Sequence, residues 1–358
     1  MLRKSFTLCL LFSFLFVLTA SAKIWRLNNN PGVTADFSAF NTATNSPLVA
    51  AGDTIYLEHS ATDYSTGSFT LTKRLVVIGP GYFFDPSNTT FPANTGLQAA
   101  TRGTTLPFFR MGNGSNGSKF LGVSFSSTVY FSTSATAYNL VFEKCFFSTS
   151  PAYFESASTY SNISFRKCFM YSGGITQVAG ATINDFVCEN NIFYSAYLQL
   201  PGLSGTNNIF RNNSIFSSAS SFDLSNIYVA NNIWGGSSNA TFTNCVIKNN
   251  LFQANQTLPP TASNNQVNLS ATWNNVFVGG STGSLDSRMQ LKPGSPALGF
   301  GLTVGTVVTP DCGAFGATDP YKLSGIPNIP SIYSLTVPVS IPAGSPTMNV
   351  TFSTRNNN

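Results

Sequence analysis

Side chains able to do acid–base chemistry are few in this chain. Charged residues make up 9% of its 358 positions, and His59 is its single histidine. The carboxylates of the central region are Glu143, Glu155, Asp185, Glu189 and Asp223, and no two aspartates are adjacent in the sequence. Glycoside hydrolysis needs two closely placed carboxyl groups, and elimination from an acidic sugar needs a base beside a metal held by several carboxylates. The sequence offers little for either reaction.

Three charged residues nevertheless recur in one frame. Glu143, Arg166 and Glu189 follow one another at intervals of 23 residues. In a fold with that period they would stack as alternating charges on an outward face. One interpretation is a site for an acidic sugar with Arg166 as base or clamp, and the other is an ion-pair ladder. We favour the ladder, because carboxylates two rungs apart with Arg166 between them make a poor calcium cage.

Cysteines recur in the same frame. "NLVFEKCFFST" contains Cys145, and "NISFRKCFMYS" contains Cys168 23 residues later. A disulfide between adjacent coils is geometrically conceivable, and a metal site is a further alternative. The same column continues with Asn191, Ser214 and Asn232, so the position favours a small side chain and we expect two free thiols.

The other cysteines fit the same interpretation. Cys188 and Cys245 fall in mostly apolar columns, and we expect both, with Cys312, to be small buried hydrophobes. Without Cys9, which lies in the apolar N-terminal run, the count is five. An odd number argues against an obligate disulfide framework.

Histidine and tyrosine supply the remaining candidates. His59 stands beside Glu58 without partners for a catalytic triad or a zinc site, so we expect a surface residue. The segment 148–205 is rich in tyrosine, namely Tyr153, Tyr160, Tyr171, Tyr194 and Tyr197. Tyr171 and Tyr194 share one column of the repeat. Such rows can stack on sugar rings or shield the flanks of a core, and both interpretations stay open.

A repeat of 18–25 residues positions these side chains. With Cys145 as position zero, the equivalent residues are Cys168, Asn191, Ser214, Asn232, Asn250 and Asn275. Two positions later stand Phe147, Met170, Phe193, Phe216, Trp234, Phe252 and Phe277; the column one position after zero, which ends at Val276, is also wholly apolar. Six positions earlier stand Asn139, Asn162, Asp185, Asn208, Asn226 and Asn244, then Leu269. Short β-rich runs at this period predict a solenoid with coils about 4.8 Å apart. Apolar columns would fill its core and asparagines would occupy left-handed bends.

Both flanks of the repeat carry a family resemblance. "GDTIYLE" and "LVVIG" near the start, with a short helix expected near Asp36, resemble the N-terminal cap of secreted bacterial right-handed parallel β-helix proteins, the pectate-lyase-like superfamily. "LKPGSPALGFG" at 291–301 and "DCGAFG" at 311–316 are similar to its closing coil. The resemblance implies an all-β, single-stranded right-handed parallel β-helix, with a cap at 23–80 and a closing coil at 285–320. It implies no particular activity, because the superfamily holds lyases, hydrolases, esterases, tailspikes and proteins without known catalysis.

The domain boundaries follow from composition. Residues 1–22 predict a secretory signal peptide, with Arg3 and Lys4 before an apolar run and a small-residue cleavage site. Residues 23–320 form the predicted β-helix domain. Residues 321–358 form a Pro-rich extended tail in which "SLTVPVS" and "TMNVTFSTR" can pair as a hairpin. No later stretch has the roughly 18 apolar residues of a membrane span, so we expect a secreted or cell-surface protein.

The charge balance narrows the partners. The formal charge of +5 falls to +3 without Arg3 and Lys4, which is too weak and scattered for nucleic acid or an anionic membrane. We predict no cofactor, no metal and no catalytic residue. The expected function is an exported, non-catalytic β-helix scaffold or surface protein that binds glycan or another extracellular macromolecule. The question of catalysis stays open: the alternative is a lyase or glycoside hydrolase of acidic polysaccharide, built around Glu143, Arg166 and Glu189.

Overall fold

The chain folds as a parallel β-solenoid of about seven turns. The computed structural model describes residues 22–64, 67–132, 137–149, 151–216, 221–236 and 240–357. The all-β parallel β-helix predicted from the sequence is confirmed. The predicted signal peptide falls almost wholly on residues 1–21, which lie outside the described residues. Within the described ranges no helix has the length and apolar character needed to cross a bilayer.

Each coil contributes strands to three parallel sheets in turn. Sheet 1 has ten strands, in the order β1 (Ile24–Leu27), β2 (Thr54–Leu57), β4 (Val76–Ile78), β7 (Lys119–Leu121), β10 (Ala137–Glu143), β13 (Thr159–Arg166), β16 (Thr182–Glu189), β19 (Ile209–Arg211), β22 (Tyr228–Ala230) and β25 (Val246–Lys248). Sheet 2 has eight strands, β5 (Thr105–Leu106), β8 (Ser124–Phe125), β11 (Phe146–Phe147), β14 (Phe169–Tyr171), β17 (Ile192–Tyr194), β20 (Ser214–Phe216), β23 (Ile233–Gly235) and β26 (Leu251–Phe252). Sheet 3 also has eight, β3 (Phe69–Leu71), β6 (Phe109–Met111), β9 (Val129–Phe131), β12 (Ala152–Phe154), β15 (Ile175–Gln177), β18 (Leu198–Leu200), β21 (Phe222–Ser225) and β24 (Thr241–Thr243).

Like residues stack along the core, as the repeat predicts. Phe142 pairs with Phe120 on one side and with Phe165 on the other. The ring centroids of each pair lie 5.1 Å apart, with interplanar angles of 4° and 10°. Parallel strands bring equivalent side chains to this spacing, so one residue type repeated in a column fills the narrow interior continuously.

The predicted register slips by one residue at β20. Ile192 pairs with Ser214, so Asn213, and not Ser214, occupies the zero column. Because neighbouring residues of a strand point to opposite faces, Ile215 enters the core and Phe216 is 41% exposed. The predicted core position of Phe216 is therefore wrong. Equal spacing of 23 residues concealed the slip, since serine and asparagine both suit a small polar position.

The last predicted rung is also wrong. The backbone N–H of Asn250 donates to Asn265 Oδ1 at 2.9 Å, so Asn265 continues the column after a spacing of 15 residues. Asn275 belongs to a 3₁₀ turn, Trp273–Asn275. Phe277, predicted in the core column, packs in a second apolar cluster outside the solenoid.

The zero column forms an internal ladder of buried amides. Its members are Asn191, Asn213, Asn232, Asn250 and Asn265. Each Oδ1 accepts the backbone N–H of the preceding rung at 2.8–2.9 Å. Each Nδ2 donates to a backbone carbonyl of an earlier coil at 2.9–3.1 Å. The ladder thereby satisfies backbone groups at the corner between sheets 1 and 2, where the strand pairing is interrupted.

Cys145 and Cys168 occupy the same slot as these amides. Their thiols donate to Phe120 O at 3.4 Å and Phe142 O at 3.3 Å, the carbonyls that an asparagine Nδ2 would reach. The five cysteines of the described chain are free and buried. Burial raises the pKa of the Cys145 thiol far above its ordinary value. The repeated cysteine is therefore a small hydrogen-bonding side chain of the ladder.

Two further columns adopt left-handed backbone. The first is the predicted amide column, in which Asn139, Asn162, Asp185, Asn226 and Asn244 have φ between 50° and 57°; Asn208 departs from it and is buried. The second immediately precedes the internal ladder and consists of Lys144, Lys167, Asn190, Asn212, Asn231, Asn249 and Asn264, with φ between 50° and 56°. Left-handed lysine is uncommon, which directs attention to what holds Lys144 and Lys167.

The second left-handed column holds a lengthwise strap, which we define as residues 297–328. The strap runs antiparallel to the order of the coils: Asn249 Nδ2 donates to Phe300 O, Asn231 Nδ2 to Leu302 O, Asn190 Nδ2 to Ala314 O, and Lys144 Nζ to Ile326 O, at 2.8–3.0 Å. Most of the predicted closing coil, 285–320, thus lies along the flank of the solenoid. Helix α2 (Leu285–Arg288) precedes it.

The strap and the residues before it cover the outer face of sheet 2. Phe146, Phe169 and Ile192 point away from the core, and they pack in the second apolar cluster with residues such as Trp273 and Cys312. A sheet buried on both faces has consecutive apolar residues. This explains the two adjacent apolar columns, both of which were predicted to fill one core.

A buried polar cluster fixes the end of the strap. Asp286, at α2, accepts hydrogen bonds from Ser324 N at 2.7 Å, Asn94 Nδ2 at 2.9 Å and Tyr321 Oη at 3.3 Å. Tyr321 Oη in turn lies 2.5 Å from Tyr82 Oη. Burial raises the pKa of Asp286. The cluster is enclosed, so its role is to join the loop at 82–94, α2 and the strap.

The two ends of the chain carry the predicted elements with shifted bounds. The N-terminal helix α1 spans Phe40–Asn45 and begins after the predicted position, because the Asp36 carboxylate accepts the backbone N–H of Arg26 at 2.8 Å and belongs to the preceding loop. In the tail, β27 (Ser331–Thr336) and β28 (Thr351–Arg355) form an antiparallel hairpin. The hairpin predicted for the tail is confirmed.

Candidate ligand-binding site

The charged column predicted on sheet 1 forms as expected and is longer. Glu143 pairs with Arg166, Arg166 with Glu189, and Glu189 with Arg211. Sequence reasoning missed Arg211 because the slip at β20 begins earlier, in β19. The column borders a groove of about 320 Å³ that the strap closes on one side.

The carboxylates of this column are ion-paired. Glu189 accepts Arg211 Nε at 2.9 Å and lies 3.6 Å from Arg166 Nη2. Glu143 lies 2.7 Å from Lys167 Nζ, which is also 2.5 Å from Asp319 of the strap. Burial opposes the charge of Lys167, yet its two ion pairs raise its pKa overall. The column is therefore an ion-pair ladder that helps to hold the strap, and it presents no unpaired carboxylate for acid–base work.

The other candidate carboxylates lie apart from this column. Glu155 accepts Arg110 Nε at 2.8 Å on sheet 3, Asp185 accepts Asn207 Nδ2 at 3.0 Å, and Asp223 pairs in register with Gln199 of sheet 3. Across the described ranges, no group of three or more histidine, cysteine, aspartate or glutamate side chains is arranged to hold a metal ion.

The predicted tyrosine column is part of a longer aromatic row. We define the row as Phe91, Tyr171, Tyr194 and Phe216, with consecutive ring centroids 4.9, 5.8 and 5.2 Å apart. The rings of Tyr171 and Tyr194 are within 14° of parallel, and those of Tyr194 and Phe216 within 28°. The inner rings therefore turn their faces to one another and their edges to solvent. Sugar stacking needs a free face, so the tyrosines mainly shield the flank of sheet 2.

The remaining tyrosines do not join the row. Tyr160 is buried and donates to Phe131 O at 2.8 Å. Tyr153 packs against Tyr130 on sheet 3, with centroids 5.8 Å apart. Tyr197 is partly buried, and burial raises its pKa.

The largest concave surface lies where the row begins. We call it the N-terminal cleft: a cavity of about 610 Å³ walled by the segments 60–63, 82–91 and 101–105, with Ser124 and Phe146 of sheet 2 beneath. Phe91 belongs both to the cleft and to the aromatic row. Its ring meets Phe146 edge-on at 5.1 Å. The cleft therefore opens at the end of sheet 2 that the strap leaves uncovered.

The cleft combines aromatic walls with a few polar groups. Phe84 and Phe91 supply apolar surface, and Asp63, Asp85 and Arg102 supply charge. The walls displace water and raise the pKa of the Asp63 carboxyl, although the residue keeps an exposed side. Asp85 has a lowered pKa, because its carboxylate accepts the Ser87 hydroxyl at 2.6 Å and the Ser87 backbone N–H at 2.9 Å.

His59 supports the wall of this cleft from behind. Its Nδ1 is hydrogen-bonded to Arg102 O, and its ring meets Phe84 edge-on at 5.8 Å. The residue is half-buried, whereas a surface position was expected from the sequence. Arg102 is further fixed by a hydrogen bond from Nη1 to Asn30 Oδ1 at 3.0 Å.

Sequence reasoning missed the cleft because it considered carboxylates of the repeat alone. Asp63 and Asp85 come from two loops of the N-terminal region that are brought together by the fold. A usable signal was "GYFFDPSNTTF" at 81–91, where four aromatic residues occur in a segment that matches no rung of the repeat.

Comparison with known proteins adds no further constraint. No protein-family model matches the chain, and no curated protein matches it.

Proposed function

We propose that this protein is an exported, non-catalytic β-helix of the pectate-lyase-like type that binds an extracellular glycan in the N-terminal cleft. The observation that carries the proposal is the cleft itself, with its volume of about 610 Å³, aromatic walls and three charged side chains at its surface. Ligand sites are typically concave and mostly apolar, with a small number of polar groups that fix orientation. Aromatic rings and hydrogen-bonding side chains together suit the mixed surface of a sugar.

The charges of the cleft favour a neutral glycan. Asp63 and Asp85 outnumber Arg102 among the ionisable groups that line it. A polyanionic chain would meet like charges, which oppose association. This changes the expected ligand class from an acidic to a neutral polysaccharide.

Hydrolysis of the bound glycan is a second candidate function. The two cleft carboxyls have pKa shifts in opposite directions, raised for Asp63 and lowered for Asp85. Pairs of carboxyls tuned apart in this way act as acid and base in glycosidases. A lyase centred on Glu143, Arg166 and Glu189 is a weaker alternative, because those carboxylates are engaged by Arg211 and Lys167.

Binding and turnover can be measured on the same panel of polysaccharides. Residues 23–358 are titrated calorimetrically with neutral and acidic polymers, and each mixture is assayed for new reducing ends and, with and without calcium, for unsaturated ends. We expect a neutral polymer to bind without new ends, and Arg102→Gln or Asp63→Asn to weaken binding at least about tenfold, a loss of about 1.4 kcal/mol. Asp223→Asn, which changes a carboxylate on the outer face of sheet 3, is the matched control and should bind normally.

Each other outcome has a defined meaning. New reducing ends that disappear in Asp63→Asn would favour hydrolysis. Unsaturated ends that disappear in Arg166→Ala would favour the lyase. The absence of binding to every polymer, or equal binding by wild type and Arg102→Gln, would contradict the proposed site.

A further inference from the structure

The tail hairpin has one apolar face and one polar face. Leu335 pairs with Phe352 across the two strands, and the alternation of side chains puts Tyr333 on the same side as Leu335. Val337 and Val350 continue this alternation just beyond the strand ends. We define these five residues as the hairpin face; they are between 39% and 61% exposed. The opposite side carries Ser334, Thr336, Thr351 and Ser353.

The segment that joins the two strands is apolar and exposed as well. Val339, Ile341 and Met348 all present large hydrophobic surfaces to solvent. The chain from 323 to 354 contains no charged residue. Exposed sheet edges and faces are usually protected by charges, so this tail lacks a common device that keeps surfaces apart.

The base of the hairpin is fixed to the solenoid. The backbone N–H of Ala99 donates to Ile332 O at 2.9 Å, and Arg355 Nη2 donates to Gly96 O at 2.9 Å. Asn357 Nδ2 donates to Ile329 O at 3.0 Å. The hairpin face is therefore presented by an anchored element, even though it packs on no layer of its own.

A second layer of β-structure would complete this element. An isolated two-stranded hairpin is marginally stable in water, and a sheet with one apolar face needs another layer to cover it. We propose that the hairpin face packs against the same face of a second copy of this chain, forming a two-fold symmetric dimer.

The chemistry of the face favours a second copy over another macromolecule. The face is uncharged, so it offers no electrostatic complement to an anionic lipid surface, a nucleic acid or a charged protein. An uncharged apolar face is complementary to itself, as a two-fold contact requires.

The available area is of the size that a dimer needs. From their exposed fractions, the large apolar residues of 332–352 present on the order of 800 Å² of surface, about what one partner contributes to a standard interface. The face also continues into a groove of about 420 Å³, where Leu335 and Ile332 lie opposite Tyr56 and His59 of the first coils. The contact can therefore extend past the two strands.

The oligomeric state tests this proposal. Residues 23–358 are examined by size-exclusion chromatography with light scattering and by sedimentation velocity over a wide concentration range. We expect a concentration-dependent dimer for wild type. The double variant Leu335→Lys, Phe352→Lys should be monomeric, with a dissociation constant raised at least about a hundredfold. Thr336→Lys puts the same charge on the same strand but on the opposite face, and should remain dimeric.

Two readouts distinguish loss of the dimer contact from loss of the fold. Unchanged circular dichroism and an unchanged urea midpoint will show that the double variant is folded, and its glycan binding in the N-terminal cleft should equal that of wild type. A wild-type protein that stays monomeric at all concentrations would overturn the proposal, as would a dimer that survives the double substitution. A monomer that binds neutral lipid vesicles through the face would show that its partner is a lipid surface.

Discussion

Asn213 is the residue whose replacement tests the internal ladder most sharply. Its side chain makes four hydrogen bonds inside the corner of the solenoid. Oδ1 accepts the backbone N–H of Asn191 at 2.9 Å and Asn191 Nδ2 at 3.0 Å. Nδ2 donates to Cys188 O at 2.9 Å and to Asn232 Oδ1 at 3.0 Å. We predict that Asn213→Ala is strongly destabilising.

The size of the effect follows from these four bonds. Each buried hydrogen bond contributes a net of about 0.5–1.5 kcal/mol, and a buried group left without a partner costs about 1–3 kcal/mol. Alanine leaves the backbone N–H of Asn191 without its acceptor in a fully buried site. We therefore expect the free energy of unfolding to fall by about 3–5 kcal/mol, a large share of the roughly 5–15 kcal/mol of a typical domain.

Urea unfolding followed by circular dichroism measures this loss. Asn207→Ala is the matched control, since it changes the same residue type in the neighbouring stretch of the chain but removes one exposed hydrogen bond, from Nδ2 to Asp185 Oδ1 at 3.0 Å. We expect that control to change stability by less than about 0.5 kcal/mol. Equal costs for the two substitutions would refute the ladder as an energetic element.

Two further predictions address the cysteine slot and the strap. Cys168→Asn should be tolerated within about 1 kcal/mol, because an amide there can donate to Phe142 O and accept from the next backbone N–H; Cys168→Leu, which can do neither, should lower the thermal midpoint, and the opposite order would contradict the shared slot. Burial, with repulsion from Lys167, lowers the pKa of Lys144 to about 8, so between that pH and the ordinary lysine pKa the unfolded chain binds more protons and this contribution to stability rises with pH. The difference in free energy of unfolding between wild type and Lys144→Met should therefore shift in favour of wild type by up to about 3 kcal/mol from pH 7 to pH 10. A difference that does not vary with pH would contradict the assignment.

The repeat could be predicted because each coil restates its environment in a few residues. The Phe column of the core and the left-handed Asn139 and Asn162 follow from residue type and spacing, since every coil meets the same constraints. The slip at Asn213 could not be found this way. Asn213 and Ser214 are both small and polar, and only the hydrogen bond to Asn191 distinguishes which one enters the ladder.

The strap and the cleft depend on contacts that the period does not encode. Nothing in the neighbourhood of Lys144 indicates that its side chain meets Ile326. Likewise Asp63 and Asp85 become neighbours of one cavity through loops that interrupt the repeat. The charged column was predictable in place, but its interpretation required Lys167 and Asp319, whose pairing depends on the strap.

Hydrogen–deuterium exchange of wild-type protein with a polysaccharide that binds is the sharpest test of where the ligand lies. We predict slower amide exchange in 60–63, 82–91 and 101–105, the walls of the N-terminal cleft, and no change in the strands that carry Arg166 and Glu189. Protection confined to those strands, with the cleft segments unaffected, would contradict the proposed site.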